Sequence, residues 1–502
     1  MPYLERLDSL LGLWHLTILN ERVDMSMKMK KTTSDILYNG LYQVVILILP
    51  FMTQPFLYRV MHEEAMGINV LINSIPSFLS VVILFGMNQF GVRTMAQAKP
   101  EDRAKTFGHL WTVQLVVGLI VMTLYTLSVI FILDYKFFYL LELPYLLGFT
   151  IDISWCFVGL GDIKKVILRN TVIKLLIVSS VFLLIRSPKD LWIYLLINSV
   201  TYLANFIFWV DLPHLLGERP KRRDFGWVNQ YFVQALIVTL PTIATQLYVS
   251  FDQQLVGRLA NVIELNFYAY PQNISRAVIA VAGSVSSVLM PKMAKMLTNE
   301  KGHDQVVHLL KTSLDYTLVL AVYLCVAFMV NSIKFTQWFW AAKGTEMGWN
   351  MFWGALIIIF VSYGGVFANQ YTLSRGLFKI YSIPYYVGAV VSVTMNIILI
   401  PHFGSLGATF VIVLTEGVVL FLRMYLIRHE VPLRRVVRGE WTTILAGLVT
   451  LAVGLFFPMD TGSLFIDLVL QTILLTAVFV VVLILTKNQV VLNIKSRIQK
   501  RG

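Results

Sequence analysis

Five ionisable side chains lie deep inside long apolar runs of this chain: Asp152, Lys174, Asp252, Arg276 and Glu416. A charge near the middle of a membrane costs about 2.5–3.5 kcal/mol on insertion scales, so each must be paired, hydrated in a cavity or close to an interface. Arg276 stands well inside its run behind Pro271, Gln272 and Asn273, a polar and kinked face ill suited to lipid. It is expected to line a cleft. Lys174 continues a basic stripe of Lys164, Lys165 and Arg169, and two readings stay open for it: binding an anion, or snorkelling to the interface. Asp252 and Glu416 also keep two readings, neutralising a neighbouring cation or carrying a proton or sodium ion. Arg93, Arg258, Arg375 and Lys379 fall at the ends of runs, where snorkelling accounts for them. An excess of cleft cations would suit an anionic passenger, because guanidinium forks grip phosphate oxygens at two points.

The elements that must position these groups are transmembrane helices. Of the 502 residues, 57% are hydrophobic and only 14% charged, and the mean hydropathy is +0.71. Soluble domains carry about 25% charged residues, so a water-soluble fold is excluded. The apolar runs are too long and too unalternating for barrel strands, which leaves helices as the spanning solution. Fourteen spans are expected near residues 36–58, 68–90, 107–133, 139–160, 168–185, 191–212, 231–255, 266–290, 313–333, 348–370, 381–400, 406–427, 441–457 and 464–486.

Of the 41 Lys and Arg residues, 32 fall in or beside the alternate connections that include both termini, and 7 in the others. Both termini are therefore expected to face the cytoplasm. The net charge of +13 then follows from cytoplasmic loops and anionic lipid, and nucleic-acid binding is not implied. No phosphate loop, zinc-ligand pairing or nucleophile elbow appears, so neither an ATP-driven pump subunit nor a hydrolase is expected, and no cofactor or metal. Cys156 and Cys325 lie in apolar runs and read as packing residues.

An internal repeat organises the spans. QVVILILP ending at Pro50 lies in register with QALIVTLP ending at Pro241, and RTMAQAK from Arg93 corresponds to PKMAKM from Pro291. The spacing holds six spans, an even number, so both copies insert with the same orientation and are related by an axis along the membrane normal. The expected organisation is an all-α membrane protein with two six-helix lobes around a central cleft plus two extra helices. Its parts are a cytoplasmic or untranslated extension at 1–30, an N-lobe at 31–224, a C-lobe at 225–430, and the extra helices with a basic cytoplasmic tail at 431–502. Met25, Met27 and Met29 precede a basic start and are candidate initiators.

Three stretches carry a family resemblance. ILYNGLYQVVILILPFMTQPFLYRV from Ile36 through FGMNQFGVRTMAQAK is the first, and DISWCFVGLGDIKKVILRNTVIKLL from Asp152 is the strongest. FDQQLVG around Asp252, with NIILIPHFGSLGATFVIVLTE from Asn396 to Glu416, completes the series. With these landmarks the chain resembles the Wzx-type polysaccharide repeat-unit flippases of the multidrug/oligosaccharidyl-lipid/polysaccharide exporter superfamily, over residues 30–430. It departs from them at Gly161, where many members are acidic, at Gln253, where many have lysine, and in VMHEEAMGINV.

The resemblance implies a fourteen-helix transporter, not an enzyme, in the bacterial cytoplasmic membrane. Its passenger would be an undecaprenyl-pyrophosphate-linked oligosaccharide, moved from the inner to the outer leaflet. The pyrophosphate would meet Arg276 and Lys174 first and Arg93 and Arg258 next, and the sugars Gln246, Gln272, Asn273 and Asn369. Asp152, Asp252 and Glu416 are the acidic cleft or coupling candidates. Drive would come from a proton or sodium gradient or from the membrane potential, and partners would include a polysaccharide polymerase and glycosyltransferases. Alternatives are a cation-coupled drug exporter, a peptidoglycan-precursor flippase and, from another class, a membrane-embedded glycosyltransferase or polymerase.

Overall fold

A computed structural model describes residues 49, 51–297 and 303–499. The proposed extension at 1–30, the candidate initiators and the first copy of the repeat up to Pro50, apart from Leu49, lie outside the described residues. Among the described residues every regular element is helical. In chain order these are α1 (Phe51–Gln97), α2 (Pro100–Phe131), α3 (Lys136–Gly159), α4 (Ile163–Leu184) and α5 (Pro188–Leu216). The second half holds α6 (Asn229–Leu259), α7 (Val262–Leu297), α8 (His303–Trp340), α9 (Glu346–Leu373), α10 (Phe378–Ile427), α11 (Trp441–Phe456), α12 (Leu464–Leu485) and α13 (Gln489–Gln499). Nine helical segments among the described residues are long and apolar enough to cross a membrane, or ten with α6 taken as one bent span.

Backbone breaks account for part of the difference between these segments and the fourteen expected spans; α11, at 16 residues, falls short of a full span, and α7 is not among the segments apolar enough to count. Two segments cover two expected spans each and are divided by residues with positive φ: His62 (φ 62) in α1 and Gly404 (φ 55, ψ −134) in α10. Elsewhere one expected span is interrupted. The span expected at 139–160 consists of Lys136–Leu140, Leu143–Thr150 and Ser154–Gly159. That expected at 191–212 passes through a 3-10 stretch at Thr201–Phe206, and the one expected at 231–255 bends by 47° at Pro241.

The sequence halves meet at both ends. At the end predicted to be outer, Tyr58 donates to Asn266, its ring stands edge-on to Tyr270 at 5.0 Å, and Trp340 Nε1 donates to Gln54 at 3.3 Å. Gln254 of α6 donates to the Leu71 carbonyl at 2.8 Å, the Ser74 hydroxyl at 2.6 Å and Tyr139 Oη at 3.2 Å. At the other end the start of α6 and its preceding linker reach the N-half. Phe232 stacks on Phe85 at 5.1 Å, Tyr231 meets Phe90 at 6.0 Å, and His109 Nδ1 lies 2.8 Å from the Gly226 carbonyl.

Gly67 marks a close approach at the end that holds Tyr58 and Asn266. A Cβ there would stand 1.9 Å from the Val262 carbonyl oxygen, a backbone atom that no rotamer change can move away. Gly67→Ala is expected to separate α1 from the start of α7, at an overpacking cost of about 1–3 kcal/mol. A lower thermal midpoint of the purified protein checks this, and an unchanged midpoint would show that the contact is looser.

The terminal helices α11 and α12 pack on α8. A Cβ at Gly454 would meet Leu475 and Val330, which places α11 against both α12 and α8. Lys334 of α8 pairs with Asp467 of α12 at 2.7 Å, and Asp467 also accepts from the Thr461 amide and hydroxyl at 2.7 Å.

Candidate functional site

The C-half gathers a buried polar cluster from three helices. Asp252 of α6 is fully buried and accepts from Ser392 Oγ at 2.5 Å, from Asn396 Nδ2 at 2.7 Å and from Tyr268 Oη at 3.5 Å. Ser392 and Asn396 stand one turn apart on α10 and are joined at 3.2 Å, so one face of that helix supplies both donors. Arg276, two turns beyond Tyr268 on α7, is close enough for its charge to act on both Asp252 and Tyr268, and Glu416 of α10 acts on the same tyrosine. Asp252, Arg276 and Glu416, three of the residues expected to matter, therefore converge.

Arg276 is half-buried, and among the described residues no hydrogen bond or ion pair reaches it. Its countercharge Asp252 is occupied by neutral donors. A guanidinium held in a membrane without its own carboxylate has donor capacity left for a ligand anion. The surroundings share this property: among the described residues, Gln272 is buried with neither amide atom bonded, and Ser275 Oγ and Asn396 Oδ1 are buried without partners. A Cβ at Gly354 would stand 2.5 Å from Gln272 Nε2, so α9 and α7 touch beside the cluster.

The remaining candidates are dispersed. Lys174 is half-buried on the stripe of α4 that carries the buried Ile167 and Val181, in the N-half. Of the basic stripe below it, Lys165 pairs with Asp211 at 2.7 Å, while Arg169 donates to Asn170 at 2.6 Å and lies 4.6 Å over the Phe208 ring. Arg93 and Arg258 are exposed, one beyond the second span and the other at the far end of α6. Gln246 donates to Ser250 at 3.2 Å on α6, and Asn273 and Asn369 are exposed, the latter on a π-helical stretch at Val366–Leu373.

Asp152 does local work. Its carboxylate accepts from the Ser154 amide at 2.9 Å and hydroxyl at 3.1 Å, and its carbonyl accepts from Gln114 Nε2 at 2.8 Å, which satisfies the chain where α3 breaks. Among the described residues no group of His, Cys, Asp and Glu could hold a metal ion.

Four buried charges were not singled out from the sequence; Asp315 and Asp467 pair with Lys311 and Lys334, whereas the other two have no ion pair among the described residues. Arg423 is only 6% exposed and lies 4.8 Å over the Tyr385 ring, with its Nε unbonded among the described residues. Glu142, at the start of Leu143–Thr150, is 1% exposed, and among the described residues neither of its carboxylate oxygens is bonded. Hydropathy could not show either, since both stand at the margins of apolar runs.

Comparison with known proteins agrees with this architecture. A Shigella dysenteriae protein bearing the name "Putative O-antigen transporter" is 22% identical over 388 residues, 75% of this chain and 95% of that protein. The structure titled "Lipid II flippase MurJ, inward closed conformation" superposes with a TM-score of 0.69 at 13% identity, over 91% of this chain and 99% of that one. An inward-facing multidrug resistance MATE family transporter of the MOP superfamily gives 0.56 at 15% identity, over 77% of this chain and 98% of that one. The fold is thus that of a helical membrane transporter. The family described as "Polysaccharide biosynthesis protein" matches residues 32–297, and this chain belongs to that family.

Proposed function

We propose that this protein is a flippase. Its passenger is an undecaprenyl-pyrophosphate-linked oligosaccharide repeat unit, moved from the inner to the outer leaflet of the cytoplasmic membrane for surface polysaccharide assembly. The observation that carries this reading is Arg276: a half-buried guanidinium with no hydrogen bond or ion pair among the described residues, set among unbonded polar groups inside a transporter fold. The polysaccharide biosynthesis family and the name of the Shigella relative support the class of passenger.

The two halves, 31–224 and 225–430, act as lobes that rock about the cleft. Arg276 and Lys174 meet the pyrophosphate from opposite lobes, Gln272 and its neighbours contact sugar, and the polyprenyl tail stays in lipid. Asp252 serves as the internal countercharge that stabilises Arg276 when the site is empty. Both termini are cytoplasmic. Outward movement of a doubly charged head group across an inside-negative membrane gains about 2.3 kcal/mol per charge per 100 mV, so the potential drives net export.

Purified protein in liposomes holding a short undecaprenyl-pyrophosphate-linked sugar tests this. The share of sugar reached by an impermeant glycosidase should rise only in vesicles containing the protein, and dissipating an imposed potential should slow that rise. Accessibility equal to protein-free vesicles refutes flipping, whereas flipping that ignores the potential refutes only the drive.

A second reading, cation-coupled export of drugs, is favoured by the buried acids Asp252, Glu416 and Glu142. It requires that cells lacking the protein become sensitive to cationic dyes while polymer stays normal.

A further inference from the structure

Residues 436–440 join α10 to the terminal helices and are held from two sides. Lys311 of α8 donates to the carbonyl oxygens of Val436 at 3.2 Å and Arg438 at 2.8 Å, and to Asp315 at 3.1 Å. From α9, the Tyr363 hydroxyl lies 2.7 Å from each carboxylate oxygen of Glu440 and shares its single proton between them. Asn488, just ahead of α13, donates to Thr442 Oγ1 at 2.7 Å and Thr443 Oγ1 at 2.9 Å. One small region thereby ties α8, α9, α11 and the chain leading into α13 together.

Among the described residues the titratable groups facing Glu440 are Tyr363 from α9 and Asp315 and Lys311 from α8. Lys311 is shared between Asp315 and two carbonyls, so among the described residues the two carboxylates have one ammonium between them. We propose that this joint is a proton-operated latch, in which protonated Glu440 docks the terminal helices against α8 and α9 and ionised Glu440 loosens them.

The direction follows from what surrounds the carboxyl. Burial pushes Glu440 up to about 7, opposed by the Tyr363 hydrogen bond, with Asp315 pushing further up and Lys311 pulling down. In an undocked joint Glu440 would ionise in the ordinary glutamate range near 4.3. Docking is then strongest below that range, weakens as pH rises, and changes no further once pH passes about 7. Acidification of the cytoplasm tightens the joint.

Hydrogen exchange of the intact protein in lipid nanodiscs reads the latch directly, with rates corrected for the chemical pH dependence of exchange. The opening constant of amides 437–446 should rise at least about tenfold between about pH 5 and pH 7 and then level off. Glu440→Gln should abolish the dependence. Asp315→Asn, which leaves Glu440 in place, should move the plateau to lower pH, and Tyr363→Phe should move it higher. A wild-type opening constant independent of pH, or a dependence that survives Glu440→Gln, overturns the proposal, as does a plateau unmoved by both Asp315→Asn and Tyr363→Phe.

Discussion

Arg276→Ala is expected to abolish surface polysaccharide while the amount of inserted protein stays the same. Among the described residues the side chain makes no hydrogen bond or ion pair, so its removal deletes no structural contact of that kind and frees Asp252 only of a nearby positive charge. A hydrogen bond to a charged group contributes about 1.5–3 kcal/mol, equivalent to roughly 10- to 150-fold in binding the passenger. Arg276→Lys keeps the charge but loses the two-point grip and should retain part of the activity. Polymer on the surface of cells carrying each variant, normalised to membrane-inserted protein, checks the pair. Wild-type behaviour in both removes the anion-binding role.

Asp252 should behave in the opposite way, with stability lost before function can be read. Alanine there takes the acceptor away from the Ser392 hydroxyl and from one N–H of Asn396, which keeps its bond to Ser392, at a cost of about 1–3 kcal/mol for each donor left unpaired. A marked fall in thermal midpoint and in inserted protein is expected. Asp252→Asn keeps an acceptor and the shape of the site, so it should insert normally and lose activity only through the missing countercharge of Arg276. Thermal unfolding beside the polymer assay separates the two variants. Equal stability of Asp252→Ala and wild type would mean that the hydrogen-bonded cluster contributes nothing to holding α6 on α10.

Apolar length made the helical membrane architecture legible in the sequence. Helices such as His303–Trp340 and Leu464–Leu485 follow from composition alone, because a continuous apolar run in lipid has no alternative to internal hydrogen bonding. Breaks inside spans were not legible. Asp152 looked like a charge in a cleft, but it serves the chain where α3 is interrupted, a role set by the Ser154 amide two residues away and by Gln114 from another helix. Asp252, Arg276 and Glu416 could each be picked out as buried charges, yet their convergence depends on how α6, α7 and α10 pack. Ser392 and Asn396 carried a readable signal, two polar residues one turn apart on an apolar helix. Arg423 carried none, since its burial comes from Tyr385 thirty-eight residues earlier and from Gly364 on α9.

Deleting the gene in its native host and measuring two pools together tests the flippase claim most directly: polymer on the cell surface, and lipid-linked oligosaccharide on the cytoplasmic leaflet. Lost polymer with intact lipid-linked units accumulating inside is expected, restored by the wild-type chain and not by Arg276→Ala. Normal polymer with no accumulation, and new sensitivity to cationic dyes, would contradict it.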